Sequence, residues 1–169
     1  MVKQTGHLVK IGLLAWLAVI GFDFFLHAGV LASLYSDPSP FILSPEEAFR
    51  LIPLGYLSFL MLIVLLVWLM PRLGVAGWKS GLVFGLIVGA LISGAGYLGL
   101  FSISTVPPVL LVGWFLGQTA ELGLAGMVLG SGLATSRLRP LLIRVIVLFV
   151  TTVALGIILQ NAIDVYTFS

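Results

Sequence analysis

Residues 16–35 read WLAVIGFDFFLHAGVLASLY, an apolar run of membrane length interrupted by one aspartate and one histidine. Asp23 and His27 are four residues apart, so a helix puts both on one face, about 6 Å apart along its axis. An ionisable pair within a segment able to cross a bilayer must be protonated, paired or solvated. This stretch therefore defines both the class of the protein and its candidate site.

The rest of the chain supports the same class. Of 169 residues, 60% are hydrophobic and only 8% charged, and the mean hydropathy is +1.24. That leaves too little polar surface for a soluble domain of this size. The expected fold is all-α: a polytopic membrane protein, a bundle of five transmembrane helices forming one domain over residues 1–169. The absence of Cys excludes disulfides, thiolate metal sites and cysteine nucleophiles. A formal net charge of +2 comes from a few basic residues at loop positions. It is not a nucleic-acid footprint, and the expected surroundings are a lipid bilayer, with a homo-oligomer or a larger membrane complex as possible partners.

Working outward, spans are predicted at about 11–35, 54–70, 80–101, 109–134 and 141–163. Each suits a hydrocarbon core of roughly 30 Å. The first is too long for a cleaved signal peptide, contains Asp23 and leads to no small-x-small cleavage site, so it is taken as a span. After it, Asp37-Pro38 and Ser39-Pro40 are turn formers. Ser44-Pro45-Glu46-Glu47 reads as a helix start, with Ser44 as N-cap, Pro45 at the first helical position and Glu47 closing a capping box. Apolar Phe49, Leu51 and Ile52 place the helix start near 44–52 at the interface, before Pro53 disturbs it.

Loop charges give an orientation. Lys3, Lys10, Arg72, Lys79, Arg137, Arg139 and Arg144 fall on one side of a five-span arrangement. Only Arg50 among basic residues falls on the other, with Asp37, Glu46, Glu47 and Asp164. The N-terminus is expected in the cytoplasm and the C-terminus outside, in a cytoplasmic (inner) membrane.

Two spans carry small-residue stripes. In the third, Gly77, Gly81, Gly85 and Gly89 recur every four residues and Ser93 continues the register, inviting close helix packing within one protomer or across a dimer seam. In the fourth, Gly113 and Gly117 share a register with Glu121 and Ala125, so the glutamate faces protein. Gln118 precedes it by three residues. Depth read from residue number puts Asp23 and Glu121 near the bilayer midplane, with His27 and Gln118 forming a second polar layer toward the outside.

Several roles fit a shared interior site of Asp23, His27, Gln118 and Glu121. Protonated acids could lock the helices together, or an acid and a histidine could load and release a proton during coupled transport. Asp23, His27 and Glu121 also make an oxygen, nitrogen, oxygen donor set suited to zinc, manganese or iron. His27 alone could ligate a pigment metal, since Ala28 and Gly29 leave room for a flat macrocycle, although Asp23 occupies the preceding turn. The cofactor is therefore unknown from sequence.

An inverted repeat is a further possibility: Trp16-x6-Asp23 is echoed by Trp114-x6-Glu121 in spans of opposite direction, a transporter habit. Tyr35, Tyr56, Tyr97, Tyr166 and the tryptophans fit interfacial belts, and His7 reads as a surface residue. No Gly-x-Ser-x-Gly, His-Glu-x-x-His or phosphate-cradling loop occurs, which leans against an enzyme. The expected role is a binding or accessory membrane protein with an interior polar site; the alternative is a proton- or cation-coupled transporter or channel acting as an oligomer.

Overall fold

The structure, a computed structural model, describes residues 2–35, 41 and 43–167. The turns at Asp37-Pro38 and Ser39-Pro40 lie outside these residues. Helix α1 (Val2–Phe24) passes directly into a π-helical turn, Phe25–Val30, and then a 3-10 turn, Ala32–Tyr35. Four further helices follow: α2 (Pro45–Arg72), α3 (Trp78–Ile103), α4 (Pro108–Leu133) and α5 (Arg139–Thr167). Among the described residues, five helical segments are long and apolar enough to cross a membrane. Their outer faces carry exposed Leu57, Met61, Val64, Leu91 and Ile158, the surface expected of a chain solvated by lipid rather than water.

Helix α4 is the hub, and it has two faces of small residues. One meets α3. The Gly77 N–H donates to the Gly130 carbonyl at 2.8 Å, bonding the start of α3 to the last turns of α4. A Cβ on Gly81 would collide with the Gly126 carbonyl, and one on Gly85 with that of Leu122. Farther along, the Gly89 position lies 3.0 Å from the Cα of Thr119. The stripe on α3 is thus covered by α4 of the same chain. Without side chains between them, the two backbones gain dispersion contact along most of their length.

The other face of α4 meets α1. Ile11 packs on Gly132, Leu26 on Gly117 and Leu31 on Gly113. This antiparallel register sets Asp23 level with Glu121. Helix α5 runs parallel to α1: Gly21 abuts Phe149, Gly156 abuts Phe24 and Phe25, and Gly29 abuts Leu159. Helix α2 joins through its second half, where Ile63, Leu66 and Met70 enter a core shared with Ile11, Ala15 and Leu129.

Four local features differ from, or add detail to, the sequence reading. The expected first span at 11–35 is not one straight helix, because regular helix gives way after Phe24 to a π-helical turn and then a 3-10 turn. Pro53 does not interrupt α2, which runs unbroken from Pro45. The helical bond it removes belongs to the carbonyl of Phe49, whose side chain is exposed on the outer turns, so the loss falls where the helix is not packed. His7 is not a free surface residue: half-buried, its Nε2–H donates at 2.9 Å to the Gly132 carbonyl in the last turn of α4, which otherwise takes a long 3.4 Å bond from the Thr135 N–H. At the start of α2, Ser44 and Glu47 make the reciprocal capping box, with the Ser44 N–H donating to Glu47 Oε2 at 3.2 Å.

Candidate functional site

Polar side chains from α1 and α4 meet where the two helices lie in register. One ligand atom each from Asp23, His27 and Glu121 lies within 4.8 Å of the others. Asp23 Oδ1 is 3.5 Å from His27 Nε2, across one turn of the same helix. Glu121 is only 1% exposed. Its Oε1 is fully buried and, among the described residues, has no hydrogen-bond partner, a costly state for a carboxylate oxygen unless a proton or a cation meets it.

The cluster borders a cavity of about 200 Å³ lined by His27, Phe59, Tyr97, Trp114, Gln118 and Glu121. Four helices contribute to it. The Glu121 end is closed and the His27 end more open, the His27 side chain being 36% exposed. Gln118 lines the cavity beside His27, so the structure brings all four sequence candidates into one neighbourhood.

The departure from regular helix after Phe24 completes the site. In a straight helix Tyr35 would lie about 12 Å farther along the axis than His27. The π turn closes with the Leu31 N–H donating to the Leu26 carbonyl at 2.8 Å, and from the 3-10 turn that follows the Tyr35 side chain reaches back to His27. Its hydroxyl shares a 2.6 Å hydrogen bond with His27 Nδ1 and accepts another from the Trp114 indole N–H at 2.7 Å. The His27 and Tyr35 rings stack with centroids 5.8 Å apart, and Tyr97 tilts against Trp114 at 6.0 Å. Val106, Leu110 and Leu111 pack with Leu34 and Tyr35 and seal this end with apolar contacts.

Tyr35, Tyr97, Trp114 and Phe59 are therefore parts of the site that sequence reasoning assigned to interfacial belts or left unremarked. Two of them had a usable signal. Trp114 precedes Gln118 by four residues and Glu121 by seven, placing all three on one helical face. Tyr97 extends the Gly89 and Ser93 register by one more step. Tyr35 had none, because its position depends on where the helix breaks.

Trp16 plays a different part: its indole N–H donates to the Tyr56 backbone carbonyl at 2.8 Å and ties α1 to α2. At the opposite end of the bundle the aromatic residues meet basic ones, with the Arg72 guanidinium 4.6 Å above Trp68 and the Lys79 ammonium 5.3 Å from Trp78.

No protein-family model matches the chain, and no curated protein or solved structure matches it. The functional reading therefore stands on the geometry alone.

Proposed function

We propose that this protein is a non-catalytic membrane binding protein, acting alone or as an accessory subunit of a larger membrane assembly, whose interior chamber at mid-membrane depth holds a small cationic or polar occupant. The observation that carries this reading is Glu121 Oε1, buried and unpartnered beside Asp23 and His27 at the edge of a cavity. A purely structural polar lock would use that atom in a hydrogen bond between helices. Here, among the described residues, it makes none.

The depth and orientation are part of the proposal. Lys10 lies about 20 Å along α1 from Asp23, beyond half of a roughly 30 Å core, which suits an ammonium among headgroups with the acids near the midplane. Lys10, Arg72, Lys79, Arg137 and Arg139 belong to the same end of the bundle. The positive-inside rule then puts that end in the cytoplasm of a cell whose cytoplasmic membrane holds the protein.

Native mass spectrometry of the protein, extracted from its membrane in mild detergent, tests the reading. A bound species of constant mass is expected on the wild type and absent from Glu121→Gln. Wild-type protein with no adduct, together with an unchanged fold in Glu121→Gln, would replace it with a structural polar cluster.

Coupled transport is the second reading, favoured by one specific arrangement: α1 and α4 are antiparallel, their acids face each other, and Trp16 and Trp114, seven residues before each acid, both donate hydrogen bonds to a neighbouring tyrosine. It predicts proton or cation flux in liposomes that Asp23→Asn abolishes while the protein stays folded.

A further inference from the structure

Resting on an occupied interior chamber, we infer that Asp23, His27 and Glu121 form a three-ligand centre for one divalent first-row transition-metal ion, with Tyr35 and Trp114 as its outer shell and its open side toward the cavity. The ligands are one carboxylate oxygen from each acid and Nε2 of His27.

Geometry supports it first. Two ligands about 2.1 Å from a tetrahedral ion are separated by about 3.4 Å, and Asp23 Oδ1 lies 3.5 Å from His27 Nε2. The wider separations, up to 4.8 Å, involve side chains that can close on an ion by rotation. Glu121 Oε1 would give up no existing bond in doing so.

Charge points the same way. Among the described residues no lysine or arginine lines the cavity, and the nearest lysine along α1 is Lys10, about 20 Å away. Two ionised carboxylates in an apolar interior are balanced by two positive charges, protons or a cation, and one divalent ion supplies both. The donor set narrows the ion. A single imidazole with two carboxylates and no thiolate suits zinc, manganese or iron(II), while calcium and magnesium favour fuller oxygen shells.

The outer shell makes the histidine usable as a ligand. A metal-binding imidazole normally donates its other N–H to an acceptor, which fixes the tautomer and the ring. The Tyr35 oxygen has two lone pairs, so it can accept from Trp114 and from His27 Nδ1–H together, leaving the Nε2 lone pair facing Asp23. Placing His27 in a π turn re-aims it relative to a regular helix, a distortion found often at functional sites. The cavity beside the three ligands, bordered by Gln118 and Trp114, leaves a coordination position open to a small molecule.

The test uses the full-length protein in detergent, stripped with a chelator and titrated with Co²⁺ as a spectroscopic probe, then with Zn²⁺ and Mn²⁺ in competition. One equivalent of Co²⁺ is expected to bind and give the intense visible bands of a four- or five-coordinate ion, which excess Zn²⁺ abolishes. Glu121→Gln and His27→Ala should each weaken binding at least 100-fold. Tyr35→Phe, which retains every ligand and the aromatic ring, should weaken it roughly 10–100-fold.

Absence of saturable binding, or wild-type binding by Glu121→Gln, overturns the metal centre. An organic adduct in native mass spectrometry with no metal by elemental analysis overturns it too, while leaving the binding reading intact. No adduct of either kind removes both.

Discussion

The α3–α4 hairpin and the turn that closes α1 solve opposite problems with the same helix. Along α3, glycines at 77, 81, 85 and 89 let two backbones touch, and among the described residues side-chain hydrogen bonding at that seam comes from Ser93, to the Gly89 carbonyl and, at 3.2 Å, with Thr119. Around His27, by contrast, the chain abandons regular helix so that polar and aromatic groups can find one another. The first region gains stability from the absence of side chains. The second spends regularity on a chamber, and that difference separates packing from function in this bundle.

The contrast is tested most severely at Gly81. An added Cβ there meets the Gly126 carbonyl, part of a helix backbone that cannot yield locally. Gly81→Ala should destabilise by about 3 kcal/mol, the upper end of overpacking costs, and Gly81→Leu should prevent the folded state from forming. Thermal unfolding in detergent followed by circular dichroism measures both. A folded, wild-type-like Gly81→Leu would mean that α3 and α4 do not pack through this stripe.

Next in size is the site. Tyr35→Phe removes the oxygen shared by His27 and Trp114 and leaves two polar nitrogens in a largely apolar setting without that partner. The expected loss is about 1–3 kcal/mol, with the indole N–H environment of Trp114 changing in its NMR signal. An unchanged Trp114 signal would show that Tyr35 does not fold back onto the site in the membrane.

How much of this was legible in the sequence follows from the same contrast. The glycine stripe is a local, periodic signal that names the face, and α4 supplied the partner through Gly126 and Gly130. Asp23, His27 and Glu121 stood out because ionisable residues are rare in apolar segments, and residue number put Asp23 level with Glu121, as the register of α1 and α4 does. Periodicity does not encode where a helix departs from 3.6 residues per turn. The π turn at Phe25–Val30 was therefore invisible, and with it the return of Tyr35. Trp114 and Tyr97 were misplaced for a related reason: near the ends of spans, the amphipathic rings that suit a lipid interface also suit the wall of a polar chamber.

Gly117 joins the two regions, since it lies on α4 beside Glu121 yet packs against Leu26 in the π turn. An added methyl there meets the end of a flexible leucine side chain rather than backbone. Gly117→Ala should therefore cost only about 1 kcal/mol, the low end of the range for overpacking. Its effect on the occupant should exceed its effect on stability, because the displaced leucine immediately precedes His27. A twofold or larger loss of Co²⁺ affinity with an almost unchanged melting temperature would place the coupling in the helix turn.

The smallest effect calibrates all of these. Gly55 and Gly96 are helical glycines whose added Cβ would meet nothing within 4 Å, on α2 and α3 respectively. Ala at either site relieves the conformational cost of glycine in a helix, about 0.5–1 kcal/mol in water. Gly55→Ala and Gly96→Ala should therefore be neutral or slightly stabilising in the same unfolding assay. Gly96 shares α3 with Gly81 but lies off its stripe, so the two alanine variants compare one helix with itself. If Gly96→Ala destabilised as much as Gly81→Ala, the stripe would have no special standing, and the damage would come from replacing glycine in this helix rather than from the approach of α4.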